Sequence, residues 1–509
     1  MKLRNYKQYI IGGLLAGGLL NFSACSLDYD PLASYSDVTE GVQDEEGEQL
    51  EFATKADVES ALQALYQLIR DRMEHWYMDQ LLMGDSHSDN AYGGSTDGGV
   101  INYENNSIDA NNPNIVRDWD RFMADATQAT RIINNVDLVP DASFSESERN
   151  SIKAQAMIFR AFIWFEMTRM WGNIPLNTVL PPDITADNIE EVYPDYFPPQ
   201  NTQQEAYEKI EEDLLYAVQY APDTDQADKT LFSNDVARAL LAKIYAEKPM
   251  RDYNKVIQYC DELEAHGYGL ADSFSDLFGM NETVTDMKMR NTREGILEAQ
   301  FPASGGNWMA WMFGRDLLDY DYSFTWAKWI TPSRNLVAAF EQAGDTERYN
   351  ETIVWYECSW SNYYPSDHYA FAYKCRSGAS SMIYLRFADI LLLKAEACLR
   401  GDNKDLNAAA DIIDRIRERA GLAPLSASVR GNEASLWEAY KLERRLELAL
   451  EGQRWYDLCR WDEVENVMNN IDDEGRAANV NPYNANSYLM PLPQTVLDSN
   501  ENLVQNPGY

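Results

Sequence analysis

The apolar and polar residues of this chain alternate mostly with a helical period. In Asp235–Glu247, for example, Ala237, Leu240, Leu241 and Ile244 recur close to every 3.6 residues, which predicts one buried helix face. The same period predicts nine helices, over Asp57–Arg72, Trp119–Asp137, Ser147–Trp171, Thr202–Tyr220, Asp235–Glu247, Tyr253–His266, Arg386–Arg400, Leu406–Ala420 and Glu433–Glu451.

Short turns join several of these helices, and this spacing indicates helix pairs that stack. Small residues such as Ala242 and Ala395 lie where two helices would approach closely. The pattern is similar to degenerate tetratricopeptide repeats, helix–turn–helix units of about 34 residues that stack on their neighbours. A non-repetitive helical bundle is the alternative, because the individual repeat signatures are weak. We predict a mostly α fold, with an α-α superhelix scaffold that carries long irregular loop insertions.

Two long segments interrupt the helical pattern, and both are rich in aromatic residues. The first covers about residues 76–112, and the second covers about residues 301–375 and holds six of the 13 tryptophans. Loops of this length inside a compact domain are usually functional. We therefore expect the helices to be scaffold and these two segments to form the working surface.

Both segments contain the residue types that bind sugars. The apolar face of a pyranose ring stacks on Trp or Tyr, while its hydroxyl groups need carboxylate, amide or Arg partners. The predicted ligand contacts are Trp308, Trp311 and Trp326, followed by Trp76, Tyr92, Asp89 and Asn90. The alternative is that many of these aromatic residues are core, as we predict for Trp164 and Trp455 in the scaffold helices.

The amino terminus has the pattern of a lipoprotein export signal. Three basic residues precede an apolar stretch at 9–20, which is too short for a membrane span of roughly 20 residues. Small residues then precede Cys25, as in a lipobox. We predict that residues 1–24 are a signal peptide, that Cys25 carries lipid as the first mature residue, and that residues 25–55 are a tether. An ordinary cysteine after an ordinary cleavage site is the alternative.

Charge and cysteine content exclude several classes of partner. The formal net charge is −39, and nucleic-acid binding calls for clustered Lys and Arg instead. The same charge argues against binding to an anionic membrane surface. Five cysteines follow Cys25 with no CxxC spacing, which disfavours a zinc site or a disulfide framework. Cys358 and Cys375 bracket an aromatic loop, but a disulfide between them cannot be deduced from sequence.

Signatures of catalysis and of metal binding are weak. The motifs HExxH, GxSxG, the P-loop and GxGxxG after a strand are all missing from the sequence. Asp85-x-His87-x-Asp89 alternates possible metal ligands, but Asn90 stands where an EF-hand loop has glycine. We expect no catalytic residues, no metal and no cofactor.

Two C-terminal motifs resemble those of one family. ERRLELALEGQRWYDLCRW at 443–461 and MPLPQTVLDSNENLVQNPGY at 490–509 are together similar to the C-terminal half of SusD/RagB outer-membrane lipoproteins. Upstream, AQAMIFRAFIWFEMTRMWGNIPL at 154–176 also matches the pattern of that family. The resemblance implies one globular unit, with a SusD-like N-terminal part at 56–285 and a SusD/RagB C-terminal part at 286–509.

The resemblance also implies a function. Proteins of the SusD/RagB type bind nutrients, usually glycans, beside a SusC-like TonB-dependent transporter. The chain would then be a surface-exposed, lipid-anchored protein of the outer membrane that passes oligosaccharides to that transporter. A peptide-binding homologue of the RagB kind is the nearest alternative. A surface glycoside hydrolase and a purely structural lipoprotein of the adhesin type are alternatives from other classes.

The charged residues of the first motif permit two interpretations. As an isolated amphipathic helix, the motif would place Arg444, Glu447 and Glu451 on a solvated face. Their spacing also predicts structural ion pairs, within the motif and to neighbouring helices, in which Arg454 and Asp457 would take part. We expect these charges to be structural and not catalytic.

Overall fold

A computed structural model gives the fold of most of the chain. It describes residues 50–94, 97–283, 285–304, 306–312, 328–358, 361–476 and 480–509, with the side chains of residues 311 and 312 left out. The predicted signal peptide, residues 1–24, and the predicted lipidation site, Cys25, lie outside the described residues. Glu51–Tyr509 forms one compact unit.

Helices make up most of the described chain. They are α1 (Lys55–Asp71), α2 (Gly98–Glu104), α3 (Pro113–Asn135), α4 (Glu146–Trp171), α5 (Ile189–Val192), α6 (Gln203–Tyr220), α7 (Asn234–Ala246), α8 (Tyr253–Ala265), α9 (Ser275–Phe278), α10 (Met309–Met312), α11 (Arg334–Ala343), α12 (Thr346–Thr352), α13 (Phe387–Arg400), α14 (Leu406–Arg419), α15 (Ala427–Arg430), α16 (Glu433–Glu447), α17 (Arg454–Trp461), α18 (Val464–Met468) and α19 (Gln494–Ser499). All nine predicted helices are confirmed, which makes the fold mostly α as expected.

Local sequence explains where the scaffold helices begin. Thr54, Ser145 and Thr202 each cap a helix, and each accepts a hydrogen bond from the backbone amide three residues later. In all three cases the acidic side chain at that later position bonds back to the cap, which completes a capping box. These contacts satisfy amide donors that would otherwise have no partner at a helix end.

The long helices pack in chain order. α1 contacts α3, α3 contacts α4, α4 contacts α6, α6 contacts α7 and α7 contacts α8, and the series continues from α13 through α14 to α16. From Ala154 to its last residue, Trp171, α4 is buried on every side, as expected for a helix with neighbours all round. This order of packing is consistent with the predicted α-α superhelix.

An insertion of more than one hundred residues separates α8 from α13, yet these two helices pack directly against each other. The insertion carries five of the short strands of the described chain. The strands are β1 (Ala91–Tyr92), β2 (Gly295–Ala299), β3 (Thr331–Pro332), β4 (Ile353–Tyr356), β5 (Tyr369–Ala372) and β6 (Met382–Arg386). They form three antiparallel pairs, β1 with β3, β2 with β6 and β4 with β5. The stack of helices is therefore continuous in space although the chain leaves it.

The first irregular segment belongs largely to the core. It begins with two π-helical stretches, Glu74–Met78 and Leu82–Ser86, and nearly every residue from His75 to Gly94 is buried or half-buried. The expectation that this segment is a working surface is therefore wrong for that part of it. Its irregular turns direct side chains from successive positions into the core instead of exposing one face.

The charged residues of the C-terminal motif at 443–461 are buried or half-buried. Arg444 is 1% exposed and Glu447 is fully buried, so the expected solvated face is wrong. Guanidinium groups from Arg348, Arg386 and Arg419, all outside the motif, contact Glu447. Burial alone would raise the pKa of Glu447, but the three positive charges hold it well below its usual range. The expectation that these charges are structural agrees with this packing.

In the described part of the chain, none of the helices combines the length and apolar content needed to cross a bilayer.

Candidate functional site

Trp76, one of the predicted sugar contacts, lies in the core. Its side chain is 2% exposed, and its ring centroid lies 5.5 Å from that of Phe122 and 5.2 Å from that of Phe162. An indole enclosed by other rings has no face left for a sugar. The structure therefore contradicts the assignment of Trp76 to the ligand surface.

Asp89 and Asn90 are buried and paired with arginines. Arg454 donates two hydrogen bonds to the carboxylate of Asp89, at 2.7 and 3.0 Å, and Arg445 donates to the side-chain oxygen of Asn90 at 2.8 Å. Burial alone would raise the pKa of Asp89, but the two guanidinium groups bring it well below its usual range. Both side chains hold the C-terminal motif in place, so their assignment as ligand contacts is wrong.

The three side chains of Asp85-x-His87-x-Asp89 each have different hydrogen-bond partners. The carboxylate of Asp85 accepts hydrogen bonds from the backbone amides of Leu450 and Gly452. The Nδ1 atom of His87 lies 2.7 Å from the carbonyl oxygen of Tyr103, and burial lowers the pKa of this imidazole to about 4. Asp89 faces the arginines. The three side chains therefore do not share a ligand.

Tyr92 is also buried, at 1% exposure, but it supports a more open surface. Its hydroxyl donates to Asp473 at 2.6 Å and accepts from the backbone amide of Arg334 at 2.9 Å. Its ring stacks on that of Tyr363 with a centroid distance of 4.4 Å and an interplanar angle of 5°. Tyr92 cannot contact a ligand directly in this arrangement, and it serves to position Tyr363.

Of the three tryptophans ranked first, the structure describes the side chain of Trp308 alone. Trp308 is half-buried and packs against the core. The side chain of Trp311 and all of Trp326 lie outside the described residues. Their assignment as ligand contacts stays a prediction.

The two segments chosen from sequence nevertheless adjoin. Strand β1, within the first segment, pairs with β3, within the second, and Tyr92 lies opposite Thr331. The β4–β5 hairpin packs on the same side, since the hydroxyl groups of Thr331 and Tyr369 lie 2.9 Å apart. Strand pairing thus brings three distant parts of the chain to one edge of the scaffold.

A continuous row of rings lies along this edge. It runs through Tyr363, Tyr92, Tyr364, Trp355 and His368, which we call the aromatic row. Tyr364 meets Trp355 edge to face at 5.0 Å, and His368 stacks on Trp355 at 4.4 Å with an interplanar angle of 8°. Tyr363 and Trp355 are half-buried and His368 is exposed, so the row reaches solvent at both ends.

Polar groups accompany the aromatic row. The guanidinium of Arg334 lies 4.5 Å from the ring centroid of Tyr364 and donates to the carbonyl oxygen of Tyr363, while its Nη1 atom is buried without a hydrogen-bond partner among the described residues. The amide of exposed Asn362 donates to Gly94 and its oxygen accepts from Tyr369. Rigid rings next to guanidinium and amide groups offer both the stacking and the hydrogen bonding that a sugar needs.

Four members of the row were missed as individual sites in the sequence, although they lie inside the segment at 301–375. The signal was present in WYECSWSNYYPSDHYAFAY at 355–373, where aromatic residues are dense but follow no helical period. The prediction instead ranks Trp308, Trp311 and Trp326 above this run. Trp355 could have been recognised by its place beside the Tyr363-Tyr364 pair.

A small, partly open pocket lies beside Trp76. Its volume is about 40 Å³, and it is lined by Trp76, Tyr77, Gln80, Glu166, Arg169 and Tyr384 among others. One water molecule takes about 30 Å³ of liquid volume, so this space suits water and not a sugar ring. The aromatic row is therefore the better candidate for a ligand surface.

Comparison with known proteins supports one family. A model described as the SusD family matches residues 366–509, and a model described as starch-binding and associating with the outer membrane matches residues 42–246. The chain belongs to the SusD family. SusD-like protein P2 of Formosa agariphila is 27% identical to it over 90% of this chain and 93% of the relative. A SusD-like protein of Bacteroides ovatus is 25% identical over 90% of this chain and 84% of the relative.

Solved structures of SusD proteins share the fold. A SusD homolog from Bacteroides thetaiotaomicron aligns with a TM-score of 0.71 at 20% identity, over 90% of this chain and 98% of that one. A laminarin-binding SusD-like protein aligns with a TM-score of 0.66 at 22% identity, over 90% of this chain and 100% of that one. Surface glycan-binding protein A of Bacteroides fluxus aligns with a TM-score of 0.69 at 21% identity, over 90% of this chain and 100% of that one.

Proposed function

We propose that this SusD-family protein binds an oligosaccharide along the aromatic row and does not cleave it. The observation that carries the proposal is the row itself, in which half-buried and exposed rings lie beside Arg334 and Asn362. Stacking of sugar C–H faces on Trp355, His368 and Tyr363 would supply affinity, and the polar neighbours would bond the hydroxyl groups. The names of two solved relatives, one laminarin-binding and one glycan-binding, support a glycan ligand.

We further propose that the protein acts at the outer-membrane surface. Lipid on Cys25 would anchor it, and a SusC-like TonB-dependent transporter would receive the oligosaccharide. The lipobox before Cys25 and the family description, associating with the outer membrane, support this placement. Two or more acyl chains hold a protein firmly on a membrane, whereas one chain holds it only marginally.

Calorimetry with a panel of oligosaccharides, beginning with laminarin fragments, tests the proposal. Trp355→Ala and His368→Ala are each expected to weaken binding, and for a ring at a binding hot spot the loss is about 2 kcal/mol, or roughly thirtyfold. Tyr193→Ala removes an aromatic side chain that is 52% exposed on another segment, and it serves as the control with unchanged affinity.

Each variant is first compared with the wild type by circular dichroism and by melting temperature. Affinities within twofold of the wild type in both row variants would place the ligand on another surface. Each incubation is also assayed for released reducing ends. Released reducing ends would show that the protein cleaves the oligosaccharide, and the function would then be glycoside hydrolysis.

A peptide ligand is the second candidate, because Trp76 and Tyr92, two of the aromatics first predicted to bind sugar, are buried. An acidic surface with few open rings would suit a cationic peptide better than a sugar. A competition experiment measures whether both ligands use one site. A fluorescent peptide pool is bound to the wild type, and saturating laminarin oligosaccharide is then added. Displacement of the peptide would indicate a shared site. Peptide binding without any measurable glycan binding would favour the RagB-like alternative.

A further inference from the structure

The pocket beside Trp76 carries polar groups that the proposed function does not use. Its buried lining residues are Trp76, Leu81, Phe162, Glu166 and Arg169. Its half-buried lining residues, which we call the rim, are Tyr77, Gln80, Ile383, Tyr384, Glu451 and Gln453. Among these described residues, none belongs to the aromatic row. A pocket with apolar walls and a few polar groups is the usual form of a small-ligand site.

A buried ion pair forms part of the pocket wall. Glu166 and Arg169 lie one turn apart on α4, and the Nη2 atom of Arg169 donates to the carboxylate of Glu166 at 2.6 Å. The rings of Phe165 and Tyr456 have their centroids 4.4 and 3.8 Å from the same guanidinium. These contacts fix the orientation of the guanidinium before any ligand binds.

The ion pair has hydrogen-bonding capacity left over. In the part of the chain that the structure describes, Arg169 donates hydrogen bonds through Nη2 alone, and its Nε atom is buried without a partner. A carboxylate has about four acceptor positions. Within the same described residues, both hydrogen bonds that Glu166 accepts come from Arg169. The wall therefore offers a hydrogen-bond acceptor next to a donor.

The charges around the pocket disfavour an ionic ligand. Arg169 would repel a cationic group, and Glu166 and Glu451 would repel an anionic one. A neutral amide has an N–H group next to a carbonyl oxygen, so it can bond to both members of the ion pair at once. The apolar side chains of Leu81 and Phe162 can contact a methyl group.

The size of the pocket limits how much of a ligand can enter. Its volume of about 40 Å³ excludes a sugar ring. Because the pocket is partly open, a short substituent can enter while the rest of a larger molecule stays outside. The rim there includes two half-buried tyrosines, Tyr77 and Tyr384, on which a sugar ring can stack.

We propose that the pocket beside Trp76 binds the acetamido group of an N-acetylated amino sugar. The amide N–H donates to Glu166, the carbonyl oxygen accepts from Arg169, and the methyl group packs on Phe162. Charge-assisted hydrogen bonds of this kind are stronger than neutral ones. The inference rests on the proposed function only for the class of the larger molecule, a glycan, and it adds a second subsite away from the aromatic row.

The test compares two trisaccharides that differ only in having acetamido or hydroxyl groups, N,N′,N″-triacetylchitotriose and cellotriose. In calorimetry the wild type is expected to bind the acetylated sugar at least tenfold more tightly, since a site built for an amide discriminates against a ligand that lacks it. Saturation-transfer NMR should show the strongest saturation at the acetyl methyl protons. Affinities within twofold of each other would show that the pocket holds water only, which overturns the inference.

Ile383→Phe enlarges a rim side chain and leaves the ion pair intact. It is expected to reduce the preference for the acetylated sugar to within twofold. Ile257→Phe makes the same substitution at a half-buried isoleucine on α8, away from the pocket, and should keep the preference. Melting temperatures are compared first. An undiminished preference in Ile383→Phe would overturn the inference.

The same measurements separate this inference from the proposed function. Trp355→Ala should keep the preference for the acetylated sugar, because Trp355 belongs to the aromatic row. If Trp355→Ala abolishes the preference and Ile383→Phe does not, the acetamido group is bound on the row instead. Laminarin fragments that bind along the row, without any preference between the two trisaccharides, would overturn this inference and leave the proposed function intact.

N-acetylalanine methylamide has the same acetamido group without a sugar ring. The wild type is expected to bind it more weakly than triacetylchitotriose, because the compound has no ring to stack on the rim tyrosines. Tighter binding of this compound than of the sugar would overturn the assignment to an amino sugar and favour an acetylated peptide.

Discussion

Buried arginines connect parts of the chain that are far apart in sequence. Arg386 contacts Glu294, Glu447 and Glu451 at 2.6–2.7 Å, and Arg454 reaches back to Asp89. An isolated buried charge is costly, but a charge with several good hydrogen-bonded partners is tolerated. These contacts hold the C-terminal motif against both the insertion and the N-terminal part.

Arg454→Ala is expected to destabilise the fold. The substitution leaves the buried carboxylate of Asp89 with one guanidinium partner fewer, and breaking a buried pair in this way costs about 3–5 kcal/mol. Lys404→Ala, which breaks the exposed pair with Glu433, is the control and should cost no more than about 1 kcal/mol. Urea unfolding of the two variants measures both costs. An unchanged free energy of unfolding together with lost ligand binding would instead make Arg454 a ligand contact.

At the scale of elements, the π-helical stretch Leu82–Ser86 and the turn after α16 touch through glycines. A Cβ atom added to Gly84 would lie 2.2 Å from the carbonyl carbon and oxygen of Gly452. Gly452 has φ +75°, a left-handed conformation in which glycine is favoured. Gly84 is therefore required because no space remains for a Cβ atom, and Gly452 is favoured because of its left-handed backbone conformation.

Gly84→Ala is accordingly expected to force the two segments apart, at a cost of about 1–3 kcal/mol or more, as for other overpacked sites. Gly98→Ala, where an added Cβ meets nothing within 4 Å, is the matched control and should be neutral or slightly stabilising. Thermal unfolding monitored by circular dichroism measures both. Equal melting temperatures for the two variants would show that the Gly84–Gly452 contact can rearrange without loss of stability.

At the scale of the whole molecule, the proposed attachment to the outer membrane would depend on Cys25, which lies outside the described residues. We predict that Cys25→Ala releases the protein from the outer-membrane fraction or leaves it unprocessed, because Cys25 is the only lipobox cysteine near the apolar leader. Ala24→Gly, which keeps a small residue before Cys25, is the control. Fractionation followed by mass spectrometry of the amino terminus measures the outcome. If the Cys25→Ala variant fractionates like the wild type, the anchor lies elsewhere.

The sequence by itself determined the helices and the family. The period of apolar residues and the capping residues at Thr54, Ser145 and Thr202 act within a few positions along the chain, so that a linear pattern is enough to locate each scaffold helix. The C-terminal motifs likewise can be recognised without knowing their contacts.

Only the tertiary structure decided which aromatic residues are buried and which charges are paired. Trp76 and Trp355 both lie in irregular, aromatic-rich sequence, yet Phe122 and Phe162 enclose the first, while the hairpin leaves the second half-exposed beside His368. Similarly, the sequence pattern places Glu447 on the surface of an amphipathic helix, but in the structure arginines from other elements surround it. Burial depends on what packs against a residue from distant parts of the chain, and such neighbours leave no periodic signal at the residue itself.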